Sequence, residues 1–173
     1  MVRILSICND AGHFLLGGTM QIEGIGVFGR SGVFKNLETV RPWGYFGLYS
    51  DNEICTTKIL YVIKNHALSM QVHQKRDQFY LLIDPMTVQY STIPVPKEIL
   101  HDRDVLRRFA EEFVVTVKGK EGDMFGFEHG IIHRLMYEPP KKSKRYYGRC
   151  LDLAFGENDE TDIIRIEDYY GRK

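Results

Sequence analysis

From Thr56 onward the chain is a succession of short apolar runs separated by polar breaks. "TTKILYVIKNH", "QFYLLID" and "MTVQYSTI" concentrate β-branched, leucine and aromatic side chains and stop at Asn, Asp or Pro. That pattern predicts half-buried strands. One segment breaks it: in "PKEILHDRDVLRRFAEEF" the apolar positions Ile99, Leu100, Val105, Leu106, Phe109 and Phe113 approximate a 3.6-residue period, with Pro96 just ahead, which predicts a helix. Beyond it "VVTVKGKEGDMFGF" reads as a hairpin turning at Gly119–Gly122, "GIIHRLMYE" as the next strand and "GRCLDLAFG" as the last of the set. Many short strands with a single inserted helix predict an all-β barrel or sandwich.

The first forty residues are different. Gly12, Gly17, Gly18, Gly24, Gly26, Gly29 and Gly32 punctuate short β-favouring pieces, a glycine density that is costly in a helix. They read as a strand extension, residues 1–39, that covers a sheet face or pairs with a second subunit. A chain of 173 residues fits one domain, which is assigned to residues 40–173 with the helical insertion at about 91–113.

Composition narrows the partners. Lys plus Arg and Asp plus Glu are 23 each, so the formal net charge is zero, which argues against nucleic acid as the main partner. The basic run Lys141-Lys142-Ser143-Lys144-Arg145 follows Pro139-Pro140 and reads as a solvated loop rather than a phosphate or nucleic-acid patch. Cys8, Cys55 and Cys150 form no CxxC pair, and no apolar run reaches membrane-spanning length. The expectation is a soluble cytoplasmic protein without membrane contact.

Two pieces carry candidate chemistry. In "LSMQVH", extended backbone puts Gln71 and His73 on one face, and Gln78 opens the next strand. In "GDMFGFEHGIIH" a turn at Gly130 leads into a strand carrying His133. Imidazole, amide and carboxylate groups converging from two strands suit a divalent metal, whose ligands must each donate a lone pair from a fixed direction. His129 lies near the mouth of such a pocket, while His13, His66 and His101 have no partner at a telling spacing. Trp43 reads as a packing anchor.

These segments resemble the two cupin motifs, and more specifically the cupin domain of type II mannose-6-phosphate isomerases. "VRPWGYF" resembles the opening of that domain, "LSMQVH-QKR" its first metal motif, "GIIHRL" its second and "DIIRIEDYYGR" its terminal signature, in the expected order. The resemblance implies a double-stranded β-helix (jelly-roll) barrel and a metal, zinc first, held at Gln71, His73, Gln78 and His133, with no organic cofactor. It also implies Arg165 as an aid to isomerisation; in that reaction Glu167 or Glu128 could act as base, the alternative being that "RIED" forms surface ion pairs. Gln78 departs from the pattern, since the family has a carboxylate there. An amide removes the anionic ligand that divalent ions prefer, so metal binding and a metal-free hydrogen-bonding pocket both stand open. Glu128 or His129 could replace the missing ligand, and Lys75, if inward, would oppose a cation and suit a phosphate.

Three functions follow. One is aldose–ketose isomerisation of a phosphorylated sugar through an enediol. Another is a non-catalytic cupin that binds a sugar or sugar nucleotide. The last is a different cupin enzyme, such as a sugar-nucleotide epimerase with a histidine base and no metal. A homodimer through the N-terminal strands is the expected assembly.

Overall fold

The computed structural model describes residues 37–50, 55–156 and 160–171. The strand extension expected over residues 1–39 falls almost wholly outside them, as does His13. Twelve strands, one helix and two 3₁₀ turns make up the rest.

The strands are β1 (Leu37–Arg41), β2 (Gly44–Ser50), β3 (Cys55–Ile63), β4 (His66–Ala67), β5 (Met70–His73) and β6 (Asp77–Leu82), followed by β7 (Met86–Ser91), β8 (Val114–Gly119), β9 (Met124–Phe127), β10 (His133–Tyr137), β11 (Tyr147–Phe155) and β12 (Ile163–Glu167). They form two six-stranded antiparallel sheets. Sheet A runs β1-β2-β3-β11-β6-β9; sheet B runs β12-β5-β10-β7-β8, with β4 also pairing β10. Neighbours in space are distant in sequence, as in a rolled-up jelly roll. Between the sheets lies a core that includes Trp43, Leu60, Val62, Tyr80, Leu82, Val88, Phe127 and Leu135, all nearly or fully buried. Trp43 is thus the packing anchor the sequence suggested.

Two sequence expectations are corrected. The segment read as one helix from Pro96 is a 3₁₀ turn (Lys97–Ile99) followed by α1 (Arg103–Phe113). Asp102 restarts the chain as a helix, because its Oδ1 accepts from the backbone N–H groups of Asp104 and Val105 at 3.1 Å each. The segment 114–127 turns at Gly119–Gly122 but forms no hairpin: β8 pairs with β7 in sheet B and β9 with β6 in sheet A. The turn carries the chain from one sheet to the other. Gly119 faces the narrow interior there, and a Cβ on it would sit 2.4 Å from Leu82 Cδ1. Alternating hydrophobicity reports that a strand exists, not which strand it pairs with.

Helix α1 covers the outer face of sheet B. Leu106, Phe109 and Ala110 pack on Met70, Val72, Ile132 and Ile166. That apolar seal pushes the intervening residues Gln71 and His73 to the barrel interior, where the candidate site is built.

Candidate functional site

Strand alternation selects the site residues. On β5 Gln71 and His73 turn inward; on β10 His133 lies in register with Gln71. On β6 the inward positions are Gln78, Tyr80 and Leu82, and on β11 they include Cys150, Asp152 and Ala154, with Asp152 opposite Tyr80 and Ala154 opposite Gln78. On β12 Arg165 lies opposite Gln71. One end of the barrel therefore collects two imidazoles, two amides, the carboxyl groups of Asp152 and Asp162, and several cations.

Burial rules the histidines. His73 and His133 are each 1% exposed, with ring centroids 5.2 Å apart. Burial pushes His73 down from 6.5 to about 2, aided by His133 and the Arg76 guanidinium, and lowers His133 to about 4. Both rings are neutral near pH 7. Arg76 Nε–H donates to His73 Nδ1 at 3.2 Å, which leaves the ring proton on Nε2. Asp162 Oδ2 stands 3.6 Å from the same Nδ1; with the ring neutral, this is a contact and not an ion pair.

His133 and Asp152 are coupled through Gln78. His133 Nδ1–H donates to the Ile131 carbonyl at 3.0 Å, so its Nε2 carries a lone pair in the neutral ring. That Nε2 is 2.9 Å from one end of the Gln78 amide, whose other end is 2.6 Å from Asp152 Oδ1. Burial raises the Asp152 carboxyl, against the opposing pull of Lys58, the Gln78 hydrogen bond and Arg76. Gln78 Nε2–H donates to Asp152 Oδ1, and the amide oxygen faces His133 Nε2; a half-turn of the amide would exchange the two contacts. Beside Asp152, the fully buried Tyr80 hydroxyl has no hydrogen-bond partner among the described residues. Burial raises its pKa further.

The cavity at this end has a volume of about 80 Å³, and its polar wall includes Ser69, Gln71, Arg76, Gln78, Asp152, Lys58, Arg165 and Arg41. The imidazoles stand behind that wall: His73 holds Arg76, and His133 holds Gln78. At the mouth, Arg41 and Lys58 lie over the Phe46 ring at 5.4 and 5.1 Å. A larger cavity of about 510 Å³ opens at the opposite end of the barrel, among Asp84, Pro85, Met86, Tyr137, Pro139 and Arg145. Its buried acid, Asp84, is already held by the guanidinium groups of Arg145 and Arg149. The sequence-predicted polar residues gather at the smaller cavity.

The structure thus brings together Gln71, His73, Gln78, His133 and Arg165, but not the other sequence candidates. Lys75, Glu128 and His129 are exposed, and His129 is occupied with Asp77. Glu167 is on the outer face, where Arg134 donates to it at 3.0 Å, because a β-bulge between Arg165 and Glu167 shifts the alternation. Sequence reasoning missed Arg76, Asp152 and Lys58. Asp152 was findable as the polar residue in a run, "GRCLDLAFG", whose alternate positions are otherwise inward and small or apolar. Arg76 was not, since it follows a turn that resets the alternation.

Comparison with known proteins supports the fold. No protein-family model matches the sequence, and no curated protein matches it either. Solved structures do. The capsular polysaccharide assembling protein CapF from Staphylococcus aureus matches with TM-score 0.57 and 9% identity, over 79% of this chain and 33% of CapF. KdgF from Halomonas sp. matches with TM-score 0.50 and 12% identity, over 71% of this chain and 87% of KdgF. Streptomyces Pac13, described as a nucleoside dehydratase, matches with TM-score 0.51 and 10% identity, over 79% and 91%. The chain spans about a third of CapF's length. These likenesses establish a cupin-type β-barrel. They do not establish the mannose-6-phosphate isomerase type, for which no sequence match exists. Among the described residues, no helix is long and apolar enough to cross a membrane.

Proposed function

We propose that this cupin takes the anionic end of a phosphorylated sugar into the Gln71–Gln78 cavity without a resident metal. The observation that carries the reading is electrostatic. Arg41, Lys58, Arg76 and Arg165 line one small cavity in which Asp152 is the single carboxyl group. Such a wall suits a phosphate, with guanidinium forks and amide N–H groups supplying paired donors. The volume has room for a phosphate-sized group and not for a whole hexose, so the sugar ring would lie at the mouth, beside Phe46.

The same wall argues against zinc. The expected donors Gln71, His73, Gln78 and His133 include no carboxylate, and Arg76 donates to one of the two imidazoles. A divalent ion there would meet four neutral ligands beside a fixed positive charge.

Proton transfer is the second reading, favoured by Asp152, a carboxyl raised by burial and facing the cavity next to Lys58. In its ionised form such a group can take a proton from one carbon of a sugar and return it to the neighbouring carbon, with the carbonyl end of the sugar rather than its phosphate in the cavity.

Trp43, the sole tryptophan, lines the cavity and reports binding by its fluorescence. Mannose 6-phosphate should change that signal while mannose does not, and Arg165→Ala should weaken binding at least about tenfold. Proton transfer would appear by NMR as deuterium uptake at C2 in D₂O and vanish in Asp152→Asn. Binding without exchange leaves the non-catalytic cupin. No response to mannose 6-phosphate or other hexose phosphates overturns the proposal.

A further inference from the structure

Strand β12 is an edge strand, paired with β5 alone among the described residues, so it has one row of ladder bonds where an inner strand has two. Residues two apart on a strand normally share a face. Here Arg165 lines the inner cavity while Glu167 lies on the outer face, because the β-bulge between them takes up one residue. The outer contact comes from Arg134 on β10, next in sequence to the inward His133. Arg134 is 6% exposed, which is deep for a guanidinium. Its Nε–H donates to Gln89 Oε1 at 2.8 Å, and its Nη1–H groups donate to Glu167 Oε2 at 3.0 Å and to the Tyr169 hydroxyl at 3.1 Å. The guanidinium carbon also lies 5.2 Å from the Tyr169 ring centroid. Gln89 is itself held: it stands in register with Arg134 and with Thr116, and its Nε2–H donates to Thr116 Oγ1 at 3.0 Å. A polar ladder across β8, β7 and β10 therefore ends on the tail that follows β12.

Other contacts hold β12 down without fixing the bulge. Ile164 and Ile166 pack in the apolar cluster under α1, and apolar packing is non-directional. At the near end Asp162 Oδ1 accepts from the Gln74 backbone N–H at 3.0 Å, and beyond the far end Tyr170 O–H donates to the Ala67 carbonyl at 3.2 Å. The Arg134 contact is directional and acts at the bulge: two N–H bonds from one planar, charged group set where Glu167 and Tyr169 sit. We propose that Arg134 is a positioning residue that acts through Arg165, a role in ligand binding that rests on the cavity taking a phosphate. By clamping Glu167 and Tyr169 outside, it keeps the bulge in place and the Arg165 guanidinium inside. Without the bulge Arg165 and Glu167 share a face. Either the arginine then leaves the cavity or a carboxylate enters it, and both weaken the hold on an anion.

Two variants of the full chain open the clamp from opposite sides. Arg134→Gln removes the charge and the fork, and Tyr169→Ala removes a side chain that is 68% exposed, which leaves the core untouched. Glu167→Gln keeps an oxygen facing Arg134, so the clamp holds in that variant. In Arg134→Gln and Tyr169→Ala, hydrogen exchange at the β12 amides should rise at least about tenfold while β11 stays protected, and phenylglyoxal should modify Arg165 faster than in the parent. Mannose 6-phosphate, followed by Trp43 fluorescence, should bind Arg134→Gln roughly threefold to tenfold more weakly, and in the Arg165→Ala background Arg134→Gln should cause no further loss. Arg134→Lys, which keeps the charge but not the fork, should recover part of the affinity. The proposal is overturned if β12 exchange and Arg165 labelling match the parent in both variants, or if the losses at positions 134 and 165 add. A parent chain that ignores mannose 6-phosphate overturns the phosphate assignment instead, and Arg165 labelling then decides the clamp.

Discussion

Replacing Gln78 with glutamate tests the geometry at the centre of the site. The amide bridges His133 Nε2 at 2.9 Å and Asp152 Oδ1 at 2.6 Å, and every group involved is nearly or fully buried. In Gln78→Glu the N–H that donates to Asp152 disappears, and two carboxyl groups face each other at hydrogen-bond distance inside the barrel. They must share a proton or repel, and His133 must charge to keep its contact. Breaking a buried polar pair of this type costs about 3 kcal/mol. For a chain of this size that is a fall in Tm of about 6–12 °C. The double variant Gln78→Glu/Asp152→Asn exchanges acid and amide, so that the new amide at position 152 donates to the new carboxyl group at position 78. It should recover to within about 1 kcal/mol of the parent. Melting by calorimetry at pH 7 with chelator present measures both. The single variant also gains the missing carboxylate ligand, so zinc at about 100 times its Kd should return about 2.7 kcal/mol to Gln78→Glu and little to the parent chain. If Gln78→Glu melts with the parent in chelator, or the double variant is no more stable than the single one, the bridge is wrong.

Acid should destabilise the fold through the histidine pair. Both imidazoles have folded pKa values below the unfolded 6.5, so the unfolded chain binds the extra protons. Stability is complete above about 6.5 and falls as pH drops toward 4, with His133 alone contributing about 3 kcal/mol. Asp152 acts with the opposite sign, because its raised pKa favours the native state below the pH at which it ionises. Denaturant titrations between pH 7 and 4 should show the net loss; unchanged stability would refute the neutral, buried assignment. Glu167→Gln should leave ligand binding at the cavity unchanged and cost under about 1 kcal/mol, since the half-exposed acid pairs with Arg134 on the outer face. A large loss of binding would restore Glu167 to the site. Gly44→Ala should cost about 3 kcal/mol or more by chemical denaturation, because φ is +148° and the new Cβ would fall 1.8 Å from the Tyr61 carbonyl oxygen. A neutral result would mean the β2–β3 approach is looser than described.

The class of fold was legible in the chain alone. Alternating apolar runs ending at Asn, Asp and Pro mark strands, because a half-buried sheet needs that period. The spacing of Gln71 and His73 put both on one face for the same reason, and His133 could be added through a motif resemblance. Pairing was not legible. A strand's own residues record which face is buried but not which neighbour completes its hydrogen bonds, so the segment after α1 read as a hairpin while it crosses between sheets. The helix start was misread because Asp102 outcompetes Pro96 once its side chain finds two backbone donors. Glu167 left the pocket through a one-residue bulge that inverts alternation, a change of register that residue types do not encode. Arg76 and Asp152 joined the site for the complementary reason: their meeting depends on β5, β6 and β11 being brought to one end of the barrel. Periodicity is a local property and the sequence carries it in full. Convergence at a cavity is a property of non-local strand pairing, and only the folded chain decides it.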